Sequence, residues 1–301
     1  MTAPSPLHEI AQRVGGDVFA GGTRANVPGP GHSRSDRSLS LLLTPEGRVV
    51  WKSFAEDPAE AVWPHLGLER RPMGTPQDRQ AWERLKRDRE RQAAAERRQK
   101  LDFCQSVWGE TREAAATPVA TYLRDRRRIG LEIPAVVRFH PAAPLDYERR
   151  TTAPAMVALV HGAAGNPTGL HVTSLKLDGS DKAGGNCRRM FGDISGGAVR
   201  LSDIGPDGSL AVGEGLETSL AFGQLHGCPT WAALSTAGLS SFRPPHTVRE
   251  LTIAADSDDR GAGLLAAQAL ATACQRRCST AIAPAPPGQD WADVLVEAAH
   301  G

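Results

Sequence analysis

The chain lacks paired cysteines: Cys104, Cys187, Cys228, Cys274 and Cys278 are scattered and odd in number, and none forms a C-x-x-C set of the kind that grips zinc. That usage points to a reducing compartment. No apolar run approaches the roughly 20 residues needed to span a bilayer, and the first residues carry neither a basic leader nor an apolar signal core. The expectation is a cytoplasmic protein. An excess of one charge is missing too, since 35 Lys and Arg stand against 34 Asp and Glu, so no whole-chain field announces a polyanionic partner and any basic surface must be local. No G-x-x-x-x-G-K-[ST] loop occurs, so a helicase motor, if one is needed, is a separate partner.

What is present divides along the 301 residues, a length that accommodates more than one domain. Residues 15–50 are rich in Gly, Pro, Ser and Arg, with an alternating stretch at 39–43 and a turn at 45–47, which predicts a hairpin-based module over 1–70. From residue 75 to about 100, Arg, Glu, Gln and Ala dominate. This predicts a solvated linker helix with i,i+4 ion pairs inside a charged segment at 71–115. A β-rich subdomain is expected over 116–205, opening with a short helix at 118–128 and including a strand at 134–140 and a hairpin formed by 155–160 and 170–177. Over 206–301 strands at 210–213, 230–234, 250–255 and 279–283 alternate with helices at 216–225 and 261–274, the signature of a parallel α/β sheet. The fold class is thus α+β and α/β, with no repeat of fixed period.

In a parallel sheet, ligands bind beyond the carboxyl ends of the strands. Glu214 follows the strand at 210–213, Asp256 and Asp258 follow the strand at 250–255, and Asp290 follows the last strand. An acid after a strand also serves as an N-cap for the next helix, the role expected of Asp259. Three acids at neighbouring strand ends suit a magnesium ion, which wants hard oxygen ligands and accepts a phosphate in its shell. Gly215 leaves room for that phosphate.

The runs V-G-E-G-L-E-T (212–218) and I-A-A-D-S-D-D-R-G (253–261) resemble the Toprim motifs of bacterial-type primases, topoisomerases and some nucleases. The resemblance implies that Glu214, Asp256 and Asp258 hold Mg2+ or Mn2+. The runs G-L-H-V-T-S-L-K-L-D-G (169–179), D-K-A (181–183) and R-R-M-F-G (188–192) resemble the β-rich subdomain before Toprim in phage and plasmid primases, and G-Q-D-W-A-D-V-L (288–295) resembles that group's closing motif. On that reading Lys182, Arg188 and Arg189 act in catalysis with the acids, while Lys176, Arg188 and Arg189 bind nucleic acid. Val172 stands where the pattern often has Arg. The segment 27–41 resembles a zinc-binding module, but Val27 stands where Cys is expected and only His32 remains as a soft ligand. A degenerate zinc-ribbon-like module without zinc is therefore expected, with Arg34 and Arg37 as template contacts.

The implied function is magnesium-dependent synthesis of short RNA primers on single-stranded DNA from ribonucleoside triphosphates, in replication of a mobile element, by a primase-like nucleotidyltransferase. A Toprim nuclease would use the same carboxylates. An inactive nucleic-acid-binding accessory protein is the non-enzymatic alternative. A topoisomerase is disfavoured, because the two tyrosines, Tyr122 and Tyr147, lie upstream of the Toprim unit in a segment without room for a gate.

Overall fold

The protein, a computed structural model, is described over residues 5–44, 47–68, 76–257 and 261–299. It divides into two compact units, Met1–Asp88 and Arg89–Gly301.

The first unit begins with α1 (Pro6–Val14), which the sequence reading did not anticipate. Its signals are local. Ser5 caps it, Pro6 occupies the first turn, and Leu7, Ile10 and Ala11 bury one face at helical spacing. Strands β1 (Asp17–Phe19), β2 (Arg24–Val27), β3 (Leu39–Leu43) and β4 (Val49–Ser53) form an antiparallel sheet in sequence order, followed by α2 (Ala59–His65). The expected hairpin is present as β3 and β4, with Leu43 opposite Val49. Leu7, Val27, Leu39, Leu41, Val62 and Leu66 form the core, each buried side chain contributing about 1.5–3 kcal/mol.

Helix α3 (Pro76–Gly109) is longer than the linker helix expected to end near residue 100. Its middle is solvated and carries i,i+4 pairs of the kind expected, Glu83–Arg87 and Arg98–Asp102. Its last turns are not a spacer: Cys104 and Val107 are buried against Leu170, Val172 and Phe191. Next come β5 (Arg112–Glu113), α4 (Pro118–Thr121) and a π-helical turn at Tyr122–Arg126. The strands β6 (Val137–Pro144), β7 (Thr152–His161), β8 (Pro167–Ser174), β9 (Arg188–Gly192) and β10 (Ala198–Arg200) pair antiparallel.

The remaining elements are β11 (Ser209–Gly213), α5 (Leu216–His226), β12 (Thr230–Ala232), α6 (Thr236–Ser241), β13 (Glu250–Ala255), α7 (Ala262–Cys274), β14 (Ser279–Pro284) and α8 (Trp291–Ala298). Strands β14, β13, β11 and β12 are mutually parallel neighbours. Strand β12 then pairs antiparallel with β10, so the α/β and β-rich parts share one ten-stranded sheet. Alternation along β11 sends Leu210 and Val212 to a core with Leu239, Phe242 and Leu270, and Ala211 to the opposite face with Phe222. Both faces of the parallel part are covered, as continuous apolar strands require. Among the described residues no helix is long and apolar enough to cross a membrane.

Candidate active site

Parallel pairing places Gly213 opposite Ala254. Glu214 therefore leaves β11 one residue after that pair, and Asp256 leaves β13 two residues after it, on strands about 4.8 Å apart. The backbone of Asp256 is held closely by α7. A Cβ added at Gly263 would stand 2.5 Å from the Asp256 carbonyl oxygen, so only glycine admits this approach. Asp258 lies outside the described residues. Asp290 lines the same cleft as Glu214 and Asp256, and its Oδ1 also accepts from Asp293 N at 2.8 Å in a capping box that starts α8. The capping and site readings of Asp290 meet in one residue.

The wall facing these acids comes from the β-rich part. Lys182, Arg188, His171 and Arg127 line the cleft, with Glu217 beneath them. Glu217, in the first turn of α5, is 4% exposed. Its Oε1 lies 2.7 Å from Lys182 Nζ, and its Oε2 lies 3.9 Å from the Arg188 guanidinium. The Tyr122 hydroxyl donates to the same Oε1 at 2.9 Å, and Arg127 Nε donates to the Tyr122 oxygen at 3.0 Å. Burial pushes the Glu217 carboxyl up, but Lys182 and Arg188 outweigh it and hold the group down at about 2. Burial pushes His171 down to about 4, with Glu217 opposing and Arg188 and Lys182 reinforcing the shift. His171 is thus neutral near pH 7. Burial, then the neighbouring Glu217 charge, pushes the Tyr122 hydroxyl up, keeping it a donor.

Of the residues singled out from sequence, Glu214, Asp256, Lys182 and Arg188 are brought together. Arg188 and Arg189 are separated, because successive residues of a strand face opposite sides. Arg189 lies opposite Val172 in the β8–β9 register and donates through one guanidinium nitrogen to the carbonyls of Asn186 and Arg188, both at 2.8 Å. Val172, fully buried with Cys104 and Phe191, faces away from the cleft, whereas its neighbour His171 lines it. Lys176 is exposed in the turn beyond β8 and does not line the cleft. Sequence reasoning missed Glu217, His171, Tyr122 and Arg127. Only His171 left a signal, as a polar residue on the alternate face of an apolar strand.

In the first unit Val27 is fully buried. The neighbouring turn is organised by polar contacts: His32 Nδ1 is hydrogen-bonded to Asp36 Oδ2 at 3.0 Å, and His32 Nε2 lies 3.4 Å from the Asp57 carboxylate. Ser53 Oγ donates to Asp57 Oδ2 at 2.7 Å. Arg37 is engaged with Asp17 at 2.7 Å, and Arg34 is exposed.

A magnesium site needs hard oxygen donors, and the Glu214 and Asp256 carboxylates fit that chemistry. Among the described residues, no group of three or more His, Cys, Asp or Glu side chains could hold a metal ion by itself. Two carboxylates are compatible with magnesium, which keeps several waters and takes phosphate oxygens into its shell.

Residues 209–300 match the Toprim domain, and residues 98–201 match a domain of unknown function, DUF7146. No curated protein sequence matches the chain. Among solved structures, a DNA primase domain from Pseudomonas aeruginosa aligns at 14% identity and a TM-score of 0.37, over 49% of this chain and 48% of that one. The chain thus spans about half of that structure's length. The Aquifex aeolicus primase fragment with zinc-binding and RNA polymerase domains aligns at 13% identity and a TM-score of 0.41, over 97% of this chain and 80% of that one. A DnaG primase catalytic domain bound to single-stranded DNA aligns at 14% identity and a TM-score of 0.44, over 67% and 78%. The last third of the chain, with Glu214 and Asp256 at its strand ends, is a Toprim domain.

Proposed function

We propose that the chain is a primase-like nucleotidyltransferase, making short RNA primers on single-stranded DNA from ribonucleoside triphosphates, with Mg2+ or Mn2+ held by Glu214 and Asp256, joined by Asp258. The observation that carries this reading is the cleft itself. Two acids at adjacent parallel strand ends face Lys182, Arg188 and Arg127 from the β-rich part of the same sheet. Phosphoryl transfer asks for this pairing, since it is catalysed mainly by positioning and by charge placed where charge develops. Bound there, the metal would neutralise phosphate charge. Lys182 and Arg188 approach the same phosphates from the opposite wall, and neutral His171 adds a polar group without further charge.

On this reading residues 116–205 and 206–301 work as one catalytic unit into whose core the last turns of α3 pack, the solvated stretch before them connects, and residues 1–70 are a zinc-ribbon-like remnant whose Arg34 contacts template phosphate. Arg37, Arg189 and Lys176 are weaker template contacts than Arg188, because the first two are engaged elsewhere and the third stands outside the cleft. Replication of a mobile element, with a separate helicase, is the setting proposed.

The test is incubation of the full chain with single-stranded DNA, magnesium or manganese and labelled ribonucleotides. Short labelled products support priming. Shortening of the DNA points to a nuclease, and binding without either product points to an accessory role.

A further inference from the structure

Two cations and one acid meet in the cleft that Glu214 and Asp256 also line, and the acid is the most buried of the three. Glu217 is buried, whereas Lys182 retains 16% and Arg188 52% of side-chain exposure. A buried carboxylate is tolerated only when charges and donors satisfy it. Here Lys182 and the Tyr122 hydroxyl occupy Oε1, and Arg188 faces Oε2. The hydroxyl is itself held by Arg127. The Glu217 carboxylate against Lys182, Arg188 and Arg127 leaves this wall net positive toward the cleft.

The placement of the acid along the chain carries the argument further. Glu214 follows β11 just before the N-cap Gly215, and Glu217 lies in the first turn of α5, so the strand-to-helix junction carries the metal-side carboxylate and the helix carries the one that meets the cations. Lys182 and Arg188 belong to the β-rich part, more than twenty-five residues earlier in sequence. A lysine has four rotatable bonds and loses considerable rotamer freedom when held. Without a fixed partner its amine would sample solvent instead of one place opposite the acids.

We propose that Glu217 is a positioning residue. Its buried carboxylate, fixed by Tyr122, holds the Lys182 amine and the Arg188 guanidinium at a set distance from Glu214 and Asp256, where the triphosphate of a nucleotide binds. The assignment rests on the primase-like reading for its ligand, but not for its geometry.

The experiment uses the full chain as wild type, Glu217→Gln and Glu217→Asp. Acetic anhydride at limiting concentration labels lysine amines, and peptide mass spectrometry compares Lys182 with exposed Lys176. ATP with magnesium is titrated by calorimetry. In Glu217→Gln, which keeps the shape and loses the charge, Lys182 labelling rises about threefold or more relative to Lys176 and ATP affinity falls about tenfold, as expected for a lost charge-assisted bond. Glu217→Asp keeps the charge but withdraws it by one methylene. Positioning requires Asp to resemble Gln in both readouts, whereas a role in charge balance alone requires Asp to resemble wild type. A labelling ratio that stays at the wild-type value in either variant, with a cooperative thermal transition retained, overturns the proposal. Should Glu217→Gln fail to fold, the Asp variant decides. If the wild-type chain binds no ATP and makes no oligonucleotide, the primase-like reading fails, while the labelling ratio still decides the assignment of Glu217.

Discussion

Replacing Gly263 by alanine tests the packing that holds Asp256. The added methyl group would lie 2.5 Å from the Asp256 carbonyl oxygen and 3.3 Å from its carbonyl carbon and amide nitrogen. All three are backbone atoms at the end of a central strand, so relief requires β13 or α7 to move. Overpacking of this kind costs about 3 kcal/mol at the upper end of its usual range. Alanine is also the better helix former, which returns about 1 kcal/mol at a position inside α7. The expected net loss is about 2 kcal/mol. For a unit the size of Arg89–Gly301, this lowers the midpoint of thermal unfolding by about 4–8 °C. Scanning calorimetry of the full chain, with the transition assigned through near-UV signals of Trp108, Trp231 and Trp291, gives the measurement. Gly184, where nothing lies within 4 Å of an added Cβ and the backbone is not left-handed, is the control, and its alanine variant stays near wild type. A Gly263→Ala protein as stable as wild type would refute the close approach of α7 to the strand end.

Asp256→Asn and Glu214→Gln should each lower primer synthesis by at least about a hundredfold, with circular dichroism unchanged, since each acid contributes charge to the cleft more than packing; wild-type activity in either would sink the metal assignment. Arg188→Ala should reduce the slope of log affinity against log salt for single-stranded DNA by about 0.7, whereas Arg189→Ala reduces it by much less. Equal effects from the two would contradict their opposite facing. His171 titrates near 6.5 when unfolded but at about 4 when folded, so the unfolded chain binds more protons between these values and stability falls as pH drops through that window. The gap corresponds to about 3 kcal/mol, and urea midpoints of His171→Asn should fall less steeply than wild type between pH 7 and 4.5. Contributions from buried His140 and half-buried His161, both pushed down by desolvation, are common to both proteins, so identical slopes would count against His171.

The Toprim strands and their acids were legible because their causes are local. Continuous apolar runs such as L-A-V-G and L-T-I-A-A end in Glu214 and Asp256, and the parallel pairing that sets the acids side by side follows from the alternation of strands and helices. Helix α1 was legible too, in Ser5, Pro6 and the spacing of Leu7, Ile10 and Ala11. The facing of Arg188 and Arg189 could have been read from strand period alone, had residues 188–192 been taken as a strand. The short elements β10 and α6, of three and six residues, are below the length at which period carries information.

By itself the sequence determined the alternation of strands and helices over 206–301, the presence of carboxylates at the ends of two of those strands and the basic residues that precede them, because each depends on chain neighbours and on periodicity. Only the tertiary structure decided that Glu217 lies beneath Lys182 and Arg188, that Tyr122 reaches it from 95 positions away, and that the end of α3 is core instead of linker. The physical reason is burial. A glutamate in the first turn of a helix reads as an exposed, dipole-favoured acid until the packing of other segments removes its water, and what replaces that water, two cations and a hydroxyl, comes from segments that no local pattern joins to it.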